Sequence, residues 1–247
     1  MPMEKATALV LRTTDFRETS RVVILWTREF GKVHALAKGG RRLRSQFEFA
    51  LDLLNLCDIV LIRKTSEGLD LLTEARLRER FQGIRQHLDA FYAACLIAEI
   101  LDTCGQRDDP HPHWFDSTMV ALRQLQEQSI VQTLLRWEIN ALREIGLQPM
   151  LDRCVLCKKP LEDMPASQPI TWNALAGGVV CSLCPTPSRG RRQLSQELWR
   201  CWRLSTQQQD LPLPESSCQQ LLDVLHEYWM HQLAKPLRLI TYFSPHR

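Results

Sequence analysis

The stretch Arg21-Val-Val-Ile-Leu-Trp-Thr-Arg-Glu-Phe-Gly-Lys-Val-His-Ala-Leu-Ala-Lys38 decides how the first part of this chain folds. Two apolar runs, residues 21–28 and 33–38, flank Glu29-Phe-Gly-Lys32, which has the composition of a hairpin turn. The stretch therefore predicts two antiparallel strands and a β-structured N-terminal region.

Further short runs on both sides of this hairpin extend the β-structure. Residues 8–12, 47–54 and 59–64 are apolar-rich, and residues 69–77 alternate at period two. That alternation places one set of side chains on a single strand face: Leu69, Leu71, Thr73, Ala75 and Leu77. Five or six short strands without a crossover helix predict a small antiparallel barrel over residues 1–82. An SH3-like barrel fits this pattern almost as well.

From about residue 85 the apolar period becomes helical. It predicts helices over about 85–104, 114–128, 130–145, 194–204 and 216–233, the first with an inward stripe that begins at Leu88. Residues 151–192 have loop composition and contain four cysteines. The fold class is therefore α+β: a barrel (1–82), then an all-helical domain (83–150 and 193–247) with a four-cysteine insertion (151–192).

Composition narrows the class of protein. The chain has 247 residues, a net charge of +3 and nine cysteines, and no apolar run approaches the ~20 residues that span a bilayer. The N-terminal residues lack the pattern of a secretory signal. We therefore expect a cytoplasmic protein without membrane partners, whose cysteines serve as thiols or metal ligands.

The four cysteines of the insertion have the spacing of a metal site. Cys154-Val-Leu-Cys157 and Cys181-Ser-Leu-Cys184 form two knuckles, each able to chelate one ion, and together they match the tetrahedral sulfur cage that Zn²⁺ prefers. A redox C-x-x-C normally opens a helix in a βαβ unit, and an iron–sulfur cluster is less typical of a double knuckle. Four cysteine ligands leave no open position, so we predict one structural Zn²⁺ per chain on Cys154, Cys157, Cys181 and Cys184.

A basic loop follows the strand predicted at residues 33–38. Lys38-Gly-Gly-Arg-Arg-Leu-Arg44 places Lys38, Arg41, Arg42 and Arg44 beside two glycines, with no acidic residue between Glu29 and Glu48. Guanidinium forks suit phosphate oxygens, and glycine allows close backbone approach. The pattern favours sequence-independent binding to a nucleic-acid backbone over the alternative of a solvated hairpin tip.

Catalytic motifs are not found. The sequence has no Gly-x-Ser-x-Gly, no His-Glu-x-x-His and no nucleotide-binding Gly-x-x-x-x-Gly-Lys-Ser/Thr. We therefore expect a binding protein rather than an enzyme.

The order of motifs along the chain resembles the RecO family of bacterial DNA repair and recombination mediators. The resemblance rests on Ala8-Leu-Val-Leu-Arg12, Thr27-Arg-Glu-Phe-Gly-Lys32, Ala37-Lys-Gly-Gly-Arg41, Leu72-Thr-Glu-Ala75, Gly146-Leu-Gln-Pro149, Gly177-Gly-Val-Val-Cys181 and Lys235-Pro-Leu-Arg238. It implies an N-terminal OB-fold, a helical domain and a cysteine zinc site, in a protein associated with the bacterial nucleoid. It also implies a protein that binds single- and double-stranded DNA, anneals complementary strands and helps load RecA onto DNA coated with single-stranded DNA-binding protein.

The resemblance also implies protein partners. RecR and often RecF are expected to act with the chain, and RecA indirectly. Residues 86–150 carry 4 basic against 9 acidic side chains, so we expect this segment to serve protein partners rather than DNA. The acidic C-terminal tail of single-stranded DNA-binding protein is one such partner, and Arg136 and Arg143, seven apart on one helix face, are the candidate contacts.

The alternative function for the chain is that of a zinc-ribbon, RNA-binding accessory protein of transcription or translation.

Overall fold

The computed structural model describes residues 3–41, 45, 47, 49–64, 68–161, 170–185, 188–207 and 213–243. The chain forms two compact units, residues 1–127 and 128–247. The four-segment division made from the sequence stays a prediction. No helix in the described ranges is both long enough and apolar enough to cross a membrane.

The first unit is built on a closed five-stranded barrel in the order β1-β2-β3-β5-β4, with β4 returning to pair with β1. The strands are β1 (Met3–Phe16), β2 (Ser20–Thr27), β3 (Gly31–Ala37), β4 (Leu56–Ile62) and β5 (Asp70–Glu79). All neighbours are antiparallel except β3 and β5, which pair in parallel over Ala35–Ala37 and Asp70–Leu72. This is an OB-like barrel, and it confirms the predicted fold class.

Two details of the barrel differ from the sequence prediction. Residues 47–54 were expected as a strand, but their described part forms turns whose buried Phe47, Ala50 and Leu51 join the barrel core. In β5, Val60 pairs with Glu74 but Leu61 pairs with Leu72, so Thr73 lies in an irregular register. This bulge-like shift changes which face each residue takes, and Leu72 rather than Leu71 is in the core.

Three helices complete the first unit: α1 (Gln82–Gln86), α2 (Leu88–Cys104) and α3 (Pro112–Gln124). The prediction that Leu88 begins the inward stripe of α2 is wrong, because its side chain is 64% exposed. The buried face instead centres on Ala93, Ala94 and Ile97. The helix is apolar on most of its circumference, and small alanines allow it to pack closely on β1 and β2.

The second unit combines helices with a small sheet. Its helices are α4 (Ile130–Glu144), α5 (Gln196–Gln207) and α6 (Glu215–Gln232), followed by a 3-10 turn at Leu239–Tyr242. Its strands are β6 (Ile170–Asn173), β7 (Gly178–Val180) and β8 (Arg191–Leu194), in the antiparallel order β7-β6-β8.

A buried carboxylate joins α4 to α6. Glu138 is fully buried and accepts hydrogen bonds from His226 Nε2 and Trp229 Nε1, each at 3.1 Å. A buried carboxylate is tolerated only when such partners satisfy it. This contact fixes the register of the two helices that border the cleft described below.

Candidate nucleic-acid interface and metal centre

The four predicted cysteine ligands come together in the second unit. The Sγ atoms of Cys154, Cys157, Cys181 and Cys184 all lie within 4.8 Å of one another, and the Cys157–Cys181 Sγ distance is 3.7 Å. Tetrahedral Zn–S bonds of about 2.3 Å place neighbouring sulfurs about 3.8 Å apart. The arrangement therefore has the dimensions of a four-thiolate cage. Among the described residues, no other group of cysteine, histidine or acidic side chains forms such a cluster.

Backbone geometry brings the two knuckles together. In the first knuckle, Lys158 donates its N–H to the Cys154 carbonyl at 2.9 Å and adopts a φ of +63°. The N–H of Val155 then donates to the Val179 carbonyl of β7 at 2.8 Å. Gly178 has no room for a Cβ, which would lie 2.6 Å from the Met150 carbonyl oxygen. The first knuckle is thus attached to the strand that leads into the second.

The thiols influence one another strongly. Burial raises the pKa of Cys154, but backbone hydrogen bonds from Cys157, Cys181 and Leu156 outweigh it and lower the pKa to about 6. Hydrogen bonds with Cys181 and Cys157, followed by smaller effects, raise the pKa of Cys184 to about 12. Four cysteine sulfurs this close together are the donor set that Zn²⁺ prefers, so the ligand set fits a metal ion.

The basic loop lies at the end of β3. Lys38 and Arg41 are exposed, whereas Arg42 and Arg44 lie outside the described residues. Gly39 takes a left-handed φ of +72°, which turns the chain back toward the β1–β2 hairpin. The N–H of Arg41 donates to the Thr19 carbonyl at 3.0 Å, and its guanidinium donates to the Arg17 carbonyl at 3.0 Å. The loop and the hairpin therefore form one surface.

Sequence reasoning missed the contribution of this hairpin. Asp15 pairs with Arg21 at 3.2 Å and with Arg41 at 3.3 Å, so one carboxylate holds two guanidinium groups. Beside them Phe16 is 39% exposed, and the Arg17 guanidinium lies 5.3 Å from the centre of its ring. An exposed aromatic residue among arginines, in the segment Asp15-Phe-Arg17, was the available signal. We call Asp15, Phe16, Arg17, Arg21, Lys38 and Arg41 the mouth cluster.

Helices cover another part of the barrel's outer surface. Trp26 of β2 is fully buried, its ring centre lies 5.2 Å from that of Trp114 in α3, and a Cβ on Gly105 would lie 2.5 Å from it. Lys32 of β3 donates to the Asp102 carbonyl of α2 at 2.6 Å. These side chains are engaged by helices, whereas the mouth cluster combines exposed cations with an exposed aromatic ring.

Arg136 and Arg143 border the same cleft of the second unit. The apolar part of its lining includes Leu135, Ile139 and Leu213. Arg143 also donates to the Thr206 carbonyl of α5. The cleft thus combines two arginines with apolar side chains, and both arginines lie on α4. Their role as partner contacts stays a prediction.

Two family models match almost the whole chain. The model described as Recombination protein O N terminal matches residues 1–81, and Recombination protein O C terminal matches residues 85–239. The chain is also similar to proteins named DNA repair protein RecO. That of Rhodopirellula baltica is 43% identical over 178 residues, which are 72% of this chain and 65% of the relative's length. That of Desulfitobacterium hafniense is 28% identical over 248 residues, 93% of this chain and 89% of the relative. That of Listeria monocytogenes is 27% identical over 203 residues, 82% and 76% respectively.

Proposed function

Because this chain belongs to the RecO family, we propose that it is a non-enzymatic mediator of DNA repair and recombination that binds DNA through the mouth cluster. The observation that carries the proposal is the joining of the β1–β2 hairpin and the basic loop into one cationic surface by Arg41. We infer that Lys38 and Arg41, together with Arg42 and Arg44, contact phosphates of single- and double-stranded DNA.

The chemistry of this surface favours binding without sequence preference. Guanidinium and ammonium groups neutralise phosphates and release counterions, which gives salt-dependent affinity for any sequence. Screening the charge of two complementary strands lowers their mutual repulsion, so a protein that holds both can anneal them without nucleotide hydrolysis. Annealing, and RecA loading together with RecR and RecF, are the activities that we propose on the basis of the family.

Strand annealing tests this proposal. Complementary oligonucleotides, coated with single-stranded DNA-binding protein and labelled for energy transfer, are mixed with the chain in the absence of ATP. We expect faster annealing than without the chain, and a loss of this effect in a Lys38→Ala/Arg41→Ala variant. A parallel RNA pair separates this function from an RNA-binding role, since annealing of RNA alone would contradict the proposal.

We propose that the metal is a structural Zn²⁺ held by Cys154, Cys157, Cys181 and Cys184. When bound, the ion cross-links the two knuckles, and a closed set of sulfur ligands contributes directly to folding. The proposal is supported by the sulfur distances and by a donor set made only of cysteines. Elemental analysis of protein purified without chelator should find about one zinc per chain.

We propose that the cleft bordered by Arg136 and Arg143 receives the acidic, Phe-ending tail of single-stranded DNA-binding protein. The tail carries carboxylates and an apolar end, and the cleft carries two arginines beside Leu135 and Ile139. Charge and apolar contacts together give such a short peptide both orientation and affinity.

A further inference from the structure

We infer that Phe16 stacks on an unpaired base and makes the mouth cluster selective for single-stranded DNA. The inference rests on the proposed function, because it assigns a base-contacting residue to the surface proposed to bind phosphates. It assigns two interactions to different residues: the basic side chains bind phosphates, and Phe16 selects single strands.

Phe16 is an exposed aromatic side chain within the mouth cluster. It is the last residue of β1, paired with Ser20 across the hairpin, and 39% of its surface is exposed. Of the other phenylalanines described in the connections of the barrel, Phe47 is buried in the core, Phe30 is partly buried and Phe49 is 62% exposed. Phe16 is too far along the hairpin to join that core, so its ring remains accessible.

The hairpin presents this ring in a fixed way. Arg17, which follows it, has a φ of +56°, a left-handed conformation that is uncommon for a non-glycine residue. Arg41 supports that conformation from the neighbouring loop by binding the carbonyls of Arg17 and Thr19, each at 3.0 Å. These two hydrogen bonds therefore hold the hairpin turn that follows Phe16 in one conformation.

One cation contacts the ring, and two others pair with the residue before it. Arg17 lies over the ring at 5.3 Å, and Arg21 and Arg41 both lie next to Asp15, the residue before Phe16. A strand whose phosphates follow these cations passes beside the ring with its bases unpaired. Every base has a π-face, so an aromatic ring in this position adds affinity without sequence preference. In a duplex the bases are already stacked on each other and gain nothing from Phe16.

Equilibrium binding of the full chain to a single strand and to a duplex of equal length tests the inference. Phe16→Leu keeps an apolar side chain without a π-face, and Phe16→Trp keeps the stacking surface. We expect Phe16→Leu to weaken single-strand binding about fivefold to thirtyfold, in the range known for base–aromatic stacking. Duplex binding should stay within twofold, and Phe16→Trp should bind single strands as well as the wild type or better.

A single strand that carries 2-aminopurine gives a direct readout. Stacking quenches its fluorescence, so wild type and Phe16→Trp should quench more than Phe16→Leu. Phe49→Leu is the matched control, since Phe49 is another exposed phenylalanine of the first unit, and it should leave both measurements unchanged. Equal losses of single-strand and duplex affinity in Phe16→Leu, or equal effects of the two leucine variants, would overturn the inference.

The Lys38→Ala/Arg41→Ala variant distinguishes this failure from failure of the proposed function. If that variant binds both DNAs less tightly while Phe16→Leu binds normally, only the stacking role is refuted. If it binds both DNAs as the wild type does, the mouth cluster is not the DNA site and both proposals fail.

Discussion

Asp15 restrains the guanidinium groups of the mouth cluster, and its removal should therefore strengthen DNA binding. The Asp15 carboxylate pairs with Arg21 and Arg41, and the three side chains are 55%, 35% and 38% exposed. Phosphates that bind these arginines must compete with this carboxylate. The variant Asp15→Asn keeps the shape of the side chain and removes its charge.

The magnitude follows from the exposure of the two pairs. A solvent-exposed ion pair contributes about 0.2–1 kcal/mol, so the two pairs together contribute about 0.4–2 kcal/mol. If DNA binding breaks both, Asp15→Asn avoids that cost and its Kd should fall about twofold to thirtyfold at low salt. Each additional phosphate contact should also steepen the log–log dependence on salt by about 0.7 for a single strand.

Fluorescence anisotropy with a labelled single strand, measured over a range of salt concentrations, provides the assay. Asp58→Asn is the control, because Asp58 is a similarly exposed carboxylate of the barrel that pairs with Arg78 at 3.1 Å, outside the mouth cluster. General loss of negative charge would strengthen binding equally in both variants. Equal affinities for Asp15→Asn and Asp58→Asn would refute the reasoning that Asp15 competes with DNA.

Three further predictions concern the metal, the cleft and the pH dependence of stability. Cys154→Ser should lose most of its zinc and unfold at a lower temperature, and full zinc content by elemental analysis would contradict the proposed cage. Arg136→Glu/Arg143→Glu should weaken binding of a fluorescent acidic tail peptide at least tenfold while DNA binding persists, and equal peptide affinities would move the tail site elsewhere. The hydrogen bond from Arg28 lowers the pKa of Asp116. The stabilisation from this pair is therefore present above pH 3.8, the ordinary pKa of the carboxyl, and is lost as the pH falls through the lowered pKa. Asp116→Asn should therefore be less stable than the wild type in urea denaturation at pH 7, with a smaller difference at pH 3.

The cysteine cage was the most predictable part of the molecule. Two residues between thiolates constrain each knuckle so tightly that spacing alone brings Cys154 near Cys157 and Cys181 near Cys184. Contact between the two knuckles depends on the fold of the residues between them, because Val155 donates to the Val179 carbonyl of β7. The strands β6, β7 and β8 were not predicted, because runs of three or four residues carry too little periodicity.

The barrel was predictable as a class but not in its register. The buried residues Phe47, Ala50, Leu51 and Leu54 recur at intervals of three and four, which is a turn or helix pattern rather than a strand pattern. Because residues 47–54 are rich in apolar and aromatic side chains, their composition favours a strand instead. The shift at Thr73 could not be foreseen either, because period-two alternation assumes an unbroken ladder.

The mouth cluster shows why the candidate DNA site was only partly predictable. Lys38 and Arg41 stand out as a local run of charge, whereas Phe16 and Arg21 join them only through the hairpin. That arrangement depends on hydrogen bonds from Arg41 to residues more than twenty positions earlier. Contacts of this kind are set by the tertiary fold and leave no periodic signal.

The parallel pairing of β3 with β5 has a consequence for how the protein is made. Until Asp70–Leu72 has left the ribosome, the edge of β3 at Ala35–Ala37 has no hydrogen-bonding partner. The nascent sheet then has an exposed edge. One edge of β1 likewise has no partner until β4 has been synthesised. A chain that stops before residue 70 therefore retains unpaired edges and should aggregate. Synthesis of β5 closes the ring and removes them.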